Sequence, residues 1–499
     1  MSLPLILISP MNQKLHISYV SAEISPFAKS GESADVASSL PKYLASLGME
    51  VSVFIPKYRR PEIESLPLEC VMKELLVPVG EEKVKGSVYK AELGKCDVYF
   101  IDSPKYFWRE DVYGTGKGEY LDNDERFVFF NRAVLEYLHQ AKMPVDIIHC
   151  NNWPTALIPV FLKTHFTNKS MFKNTASVFT LHNVAYQGEF PPESLALTGL
   201  NWNYFTPSQL SFNGQFNFLK AGVIFSDVLN TVSSAYRREI QTEKSGWGME
   251  EILRNRKNIF YSIRNGVDYE VWNPETDPYI IANYSALNLK GKKKCKRDLF
   301  QEFGLPVSPR IPLLSFISYL SSQKGLDILL EAVEELMQLK VRLVVLGKGD
   351  EKYESLLGAV QKKHSKKIAV KFDLSPALTH KVAAGADISL IPSLYEPCGL
   401  TQLYSFRYGT VPVVRATGGL RETVKPFSPR TQKGTGFVFK EYSSQAFLKA
   451  VKMALSCYAE PELWEKIMLA GIQENFSWQI SAKKYAKLYH SALAIKRGG

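Results

Sequence analysis

The sequence predicts an α/β protein built from two doubly wound domains. Three observations lead there. The chain has 499 residues, more than one hydrophobic core usually supports, so two domains are expected. Short β-branched or aromatic runs alternate with helix-length amphipathic segments, which is the pattern of a parallel sheet with crossover helices. The alternation also occurs twice, on either side of a stretch rich in breakers.

The first series places strands at 15–20, 51–56, 97–102, 146–150 and 178–182. The second places them at 313–317, 341–347, 368–372, 387–392 and 411–415, with helical patterns such as 325–339 between them. The boundary falls in Asn265-Gly-Val-Asp268 through Trp272-Asn-Pro-Glu-Thr-Asp-Pro278, where Asn-Gly and two prolines stop any continuing helix. The expected domains are therefore 14–264 and 265–477, both Rossmann-like. Because open α/β sheets bind ligands beyond the carboxyl ends of their strands, two such domains facing across a cleft make that cleft the expected site.

Composition narrows the class of partner. With 45% hydrophobic and 22% charged residues and no apolar run long enough to span a bilayer, no membrane partner is expected. The opening Met1-Ser-Leu-Pro-Leu-Ile-Leu-Ile-Ser-Pro10 has no basic residue before its apolar stretch and no small-residue cleavage site. It reads as an extension and not as a signal peptide. Cys70, Cys96, Cys150, Cys295, Cys398 and Cys457 form no Cys-x-x-Cys pair, which argues against a zinc site or a disulfide framework and suits a reducing cytoplasm. No metal is expected. The net charge of +11 suits a polyanion, whether nucleic acid, anionic membrane or phosphorylated substrate. The runs Lys292-Lys293-Lys294 with Lys296-Arg297, and Lys362-Lys363 with Lys366-Lys367, lack interleaved aromatics and read as solvated helix faces, so nucleic acid is not expected. The sequence leaves oligomeric state open.

Chemistry-bearing residues sit at the expected strand ends. Lys29, Ser30 and Gly31 follow the first strand and precede a helix, where amides and an ammonium can meet a phosphate, although ordinary loops share that composition. In the second domain Ser321-Ser-Gln-Lys-Gly-Leu326 places Lys324 at a strand-to-helix loop, where a positive charge suits a phosphate leaving group. Further on, the amides of Gly399, Leu400 and Thr401 open a helix just after Glu396, a carboxylate able to accept from ligand hydroxyls or to lie idle on the surface. Gly418 and Gly419 mark a close backbone approach. His182 ends an apolar strand and is either a core histidine or a ligand contact. Trp153, Tyr186, Trp202, Tyr204 and Phe205 are either stacking platforms or core.

Taken in order, Lys29-Ser-Gly31, Leu181-His-Asn-Val-Ala-Tyr-Gln-Gly188, Phe212-Asn-Gly-Gln-Phe-Asn-Phe-Leu-Lys-Ala-Gly222, Asn265-Gly-Val-Asp268, Ser322-Gln-Lys-Gly-Leu-Asp327, Glu396-Pro-Cys-Gly-Leu-Thr-Gln402 and Thr417-Gly-Gly-Leu420 make the chain resemble the bacterial-type glycogen/starch synthases from Lys14 onward. The resemblance implies the GT-B fold and a cytoplasmic enzyme that moves glucose from ADP-glucose, a substrate and not a cofactor. The acceptor it implies is the non-reducing end of an α-1,4-glucan, with retention of configuration and without a metal ion. It implies that the 14–264 domain is the acceptor side, completed by a C-terminal helix at 478–499, and that 265–477 binds the nucleotide sugar. By the same resemblance Lys29 and Lys324 contact the donor diphosphate, His182 borders the transferred glucose and Glu396 holds its hydroxyls. Ser30, Gly31, Gly399, Leu400, Thr401, Gly418 and Gly419 complete the donor site. Asn152, Trp153 and Tyr186 are its candidate sugar contacts.

Three positions depart from the family pattern. Glu32 stands where a glycine is usual, Asn152 where an aspartate is usual, and Tyr319 where an arginine precedes the second lysine. A tyrosine offers no guanidinium fork to phosphate oxygens. The expectation is a working transferase, with a slow or silent glucan-binding relative as the alternative.

Overall fold

The computed structural model describes residues 14–115 and 118–498. The opening residues read above as an extension lie outside the described residues. The chain forms two compact units. One comprises the chain up to Val232, Arg237–Arg264 and the segment from Trp478 onward, and the other comprises Ser233–Tyr236 and Asn265–Ser477.

The first unit is organised by nine strands: β1 (His16–Val20), β2 (Glu50–Pro56), β3 (Glu69–Val79), β4 (Glu82–Leu93), β5 (Cys96–Asp102), β6 (Ile147–Asn151), β7 (Ala176–Leu181), β8 (Val228–Thr231) and β9 (Phe260–Ser262). Their order is β9-β8-β7-β6-β1-β2-β5-β4-β3. From β9 to β5 the pairing is parallel. Helices cover both faces there, so β6 and β7 are buried at every position and read as apolar runs instead of alternating ones. β3 and β4 are an antiparallel extension that the sequence reading did not foresee. Their polar alternation, exposed on one side, carries no crossover signal. The helix Trp478–Gly498 packs on this unit, against the helix Ser33–Ser46 and β7, with Trp478, Tyr485 and Tyr489 fully buried.

The second unit carries six parallel strands: β10 (Leu313–Ile317), β11 (Arg342–Leu346), β12 (Ile368–Lys371), β13 (Ile388–Ile391), β14 (Val411–Arg415) and β15 (Phe437–Phe439). Their order is β12-β11-β10-β13-β14-β15. The helix Leu326–Gln338 buries Leu326, Leu329, Val333, Leu336 and Met337, a stripe at the helical repeat, against this sheet.

The lysine runs are corrected in part. Lys293 and Lys294 are exposed on the helix Lys290–Glu302, but Lys292 and Lys296 on the same helix are buried. Lys292 Nζ donates to the Ala384 carbonyl at 3.0 Å and the Thr410 hydroxyl at 2.9 Å, and Lys296 pairs with Asp387 at 2.6 Å. Two lysines one helical turn apart thus point inward, where each finds oxygen acceptors.

Candidate active site

In the second unit β10 and β13 are neighbours, and the chain winds outward from them in opposite directions. Their carboxyl-end loops therefore diverge and leave a crevice. The loop after β10 tightens into the 3₁₀ turn Ser322–Lys324, followed by Gly325 at φ +76°. A β-carbon at 325 would collide with the Pro392 carbonyl of the loop after β13, so glycine lets the two loops close together. The Leu394 amide donates to the Gln323 carbonyl at 2.8 Å and ties them. Lys324 Nζ consequently lies 2.8 Å from Glu396 Oε2, and the Ser393 hydroxyl donates to the same oxygen at 3.1 Å. The Glu396 side chain is 4% exposed and that of Lys324 18%. Both line a small pocket with Ser318, Ile391, Ser393 and Thr401. A shielded pair of this kind can meet an anion through its ammonium and hydroxyl donors through its carboxylate.

The backbone beneath Glu396 is fixed by residues of its own motif. A β-carbon at Gly418 would strike the Glu396 carbonyl and one at Gly419 the Cys398 carbonyl, while the Gly419 amide donates to the Glu396 carbonyl at 3.0 Å. The close approach read from this glycine pair is therefore made to the protein's own loop. Gln402, fully buried, donates to the carbonyls of Cys398 at 3.1 Å and Gly399 at 2.8 Å. Gly399 turns at φ +69°, Leu400 flanks the short helix Thr401–Arg407, and Thr401 reaches the pocket. Gln402 and Ser393 were not singled out from sequence. The signal for Gln402 was its position inside the motif, while Ser393, three residues ahead of the motif, had only its place just after a strand.

In the first unit the loop after β1 has a different occupant from the one expected. Glu23, 3% exposed, accepts from the Ser30 amide at 2.6 Å, the Ser30 hydroxyl at 2.8 Å, the Gly31 amide at 3.1 Å and the Ser33 hydroxyl at 2.5 Å. The amides of Ser30 and Gly31, expected from the sequence to face a phosphate, donate here to a carboxylate of the same chain. Lys29 is half-exposed and paired with Asp35 at 2.7 Å. Glu32 precedes the helix Ser33–Ser46 at φ −68°, a backbone that any residue adopts, so the missing glycine strains nothing.

At the ends of β6 and β7, Asn152 sits at φ +57° and its Oδ1 accepts the His182 amide at 2.9 Å. With ψ at −179° this backbone lies outside the αL region and is one that residues other than glycine rarely adopt, and the Asn152 amide oxygen makes the bond that an aspartate would make. The His182 ring is buried, and burial alone pushes its pKa down to about 4. His149 below it is driven to about 3 by burial and then by the neighbouring His182. Both rings are neutral at physiological pH. Trp153 offers no stacking face: it is buried, with Phe127 at 4.9 Å and Tyr113 at 5.8 Å, and Gly188 leaves room for its ring. Tyr186, 56% exposed, does offer one. Tyr319 is 49% exposed, between β10 and the Ser322–Lys324 turn.

Residues 16–255 match the family model of the starch synthase catalytic domain, and residues 300–468 that of glycosyl transferases group 1. The glycogen synthase of Koribacter versatilis is 42% identical over 97% of this chain and 99% of its own length. The chain belongs to the glycogen and starch synthases. The glycogen synthase of Thermotoga petrophila is 44% identical over 96% of this chain and 99% of its own. The catalytic domain of starch synthase IV from Arabidopsis thaliana, solved with ADP and acarbose, superposes with a TM-score of 0.90 at 31% identity, covering 97% of this chain and all of that one. The fold is accordingly GT-B and the protein a glycosyltransferase, a glycogen or starch synthase. The relatives speak for a synthase and give no support to the alternative of a silent glucan-binding protein. Among the described residues no helix is long and apolar enough to cross a membrane, and no cluster of three or more His, Cys, Asp or Glu side chains could hold a metal.

Proposed function

We propose that this synthase transfers glucose from ADP-glucose to the non-reducing end of an α-1,4-glucan with retention of configuration, in the cytoplasm and without a metal ion. The observation that carries the reading is the shielded Lys324–Glu396 pair, held by both switch-point loops of the second unit. Lys324 stabilises the charge that grows on the departing diphosphate. Glu396 accepts from glucose hydroxyls and offsets the positive charge developing at the anomeric carbon. His182, neutral and almost enclosed, borders the sugar. The ADP and acarbose bound by the Arabidopsis enzyme support this choice of donor and acceptor.

The test is incorporation of radiolabelled glucose from ADP-glucose into glycogen, with UDP-glucose in parallel and EDTA throughout. Incorporation that ADP-glucose supports best, and that Glu396→Ala lowers at least a hundredfold, is expected. Undiminished incorporation by Glu396→Ala, or no incorporation by folded wild-type protein from either donor, would overturn the reading.

A further inference from the structure

Beneath His182 lies a group of buried polar side chains to which the chemistry above assigns no part. Asn151, at the end of β6, is 3% exposed. Its amide nitrogen donates to the Val20 carbonyl at 2.9 Å and faces the His149 carbonyl at 3.5 Å. Carbonyls only accept, so the NH2 group must face them and the amide oxygen must face the opposite way. On that side stand the Tyr19 hydroxyl at 3.1 Å and Nε2 of His182 at 3.0 Å. An amide oxygen never donates, so each of these partners presents a proton to it. Because burial keeps the His182 ring neutral, its single proton is on Nε2 and its lone pair on Nδ1.

We infer that Asn151 is a positioning residue for glucosyl transfer: it holds His182 as the Nε2–H tautomer, so that Nδ1 meets the sugar as an acceptor for a hydroxyl proton. The inference rests on the reading that His182 borders the transferred glucose. The opposite tautomer would set a lone pair against the Asn151 oxygen, and toward the sugar it could only donate to a hydroxyl oxygen and not accept the hydroxyl's proton. His149 cannot substitute, since its two ring nitrogens are engaged by Tyr489 at 2.8 Å and Thr180 at 2.7 Å. Tyr19 reinforces the assignment, because its hydroxyl occupies the oxygen's other lone pair.

The experiment is NMR of the full chain labelled with ¹⁵N in its histidine rings, with the His182 signals identified by their loss in His182→Asn. The wild type is expected to show a protonated Nε2 and an unprotonated Nδ1. In Asn151→Leu the His182 signals should shift to a mixture of tautomers, with kcat at least tenfold lower and KM for the donor changed less. Asn151→Asp keeps an oxygen toward Nε2 and should retain the tautomer and more of kcat than the leucine variant. A wild-type spectrum with the proton on Nδ1 overturns the inference even if no variant folds, and so does an Asn151→Leu enzyme with unchanged tautomer and kcat. If wild-type protein transferred no glucose, the functional reading would fall while the spectrum still decided the tautomer.

Discussion

At the scale of single residues, the buried carboxylate of Glu23 has the clearest consequence. Four donors of the Lys29-Ser-Gly31 loop and its following helix converge on it, and hydrogen bonds to a charged group contribute about 1.5–3 kcal/mol. Glu23→Ala should therefore lower stability by roughly that amount and raise KM for the donor at least tenfold through a loosened Lys29, as denaturant titration and initial-rate kinetics would show. Glu23→Gln, which keeps one acceptor, should fall between. Tyr319 leads to an opposite expectation. A missing charge-stabilising donor costs about 3–4 kcal/mol in a typical active site, so Tyr319→Arg should raise kcat, and an unchanged kcat would mean that other groups have taken over. Lys324 and Glu396 were legible in the sequence because their motifs place them at strand ends. Glu23 was not, because a carboxylate ahead of a glycine loop looks like a liability until folding turns the amides toward it. For Trp153 the sequence left platform and core open, since an aromatic near a strand end has the same letter whether its face is open or packed.

Elements add what residues alone do not. The helix Lys290–Glu302 carries Lys292 inward, and burial lowers its pKa from the ordinary 10.5 to about 8. Between those values the unfolded chain binds a proton that the folded protein has released, so stability rises with pH across that window. The total is on the order of 3 kcal/mol. The Tm of the wild type should climb relative to that of Lys292→Met as pH goes from 7.5 to 10; a flat difference would show that Lys292 stays charged or becomes solvated. Sequence reading placed the parallel strands β1, β2, β5 to β7 and β10 to β14 within a residue or two because crossover helices impose a rhythm of apolar runs, but it passed over the parallel strands β8, β9 and β15, which are only three or four residues long. It passed over β3 and β4 because a hairpin with one wet face alternates polar and apolar residues and has no helix to announce it. The inward lysines escaped for the same reason: the run Lys292-Lys293-Lys294 samples two faces of one helix, and composition does not say which is which.

The whole molecule is discontinuous: the first unit is completed only by the helix Trp478–Gly498, across the full length of the second. That helix brings Tyr489 to His149 and Tyr485 to Asn230, which donates to its hydroxyl at 3.0 Å. Tyr489→Phe should cost about 1 kcal/mol by leaving a buried ring nitrogen unpartnered, measurable by thermal denaturation. Stopping the chain after Ser477 should unfold the first unit outright, seen as loss of protease resistance in residues 14–264 and not in 265–477. The two-domain division was readable from the breaker-rich boundary, but the return of the chain was implied only by resemblance, since nothing in an amphipathic helix names the sheet it will cover.

Interruption of one unit by another also sets a schedule during synthesis. A ribosome makes β1 to β9 first, then more than two hundred residues of the second unit, and only afterwards the helix that shields β7 and His149. For that interval the nascent first unit carries an open apolar flank. Codon choice and elongation speed through the second unit therefore govern how long a sticky intermediate waits, and chaperone demand should grow when that stretch is translated slowly.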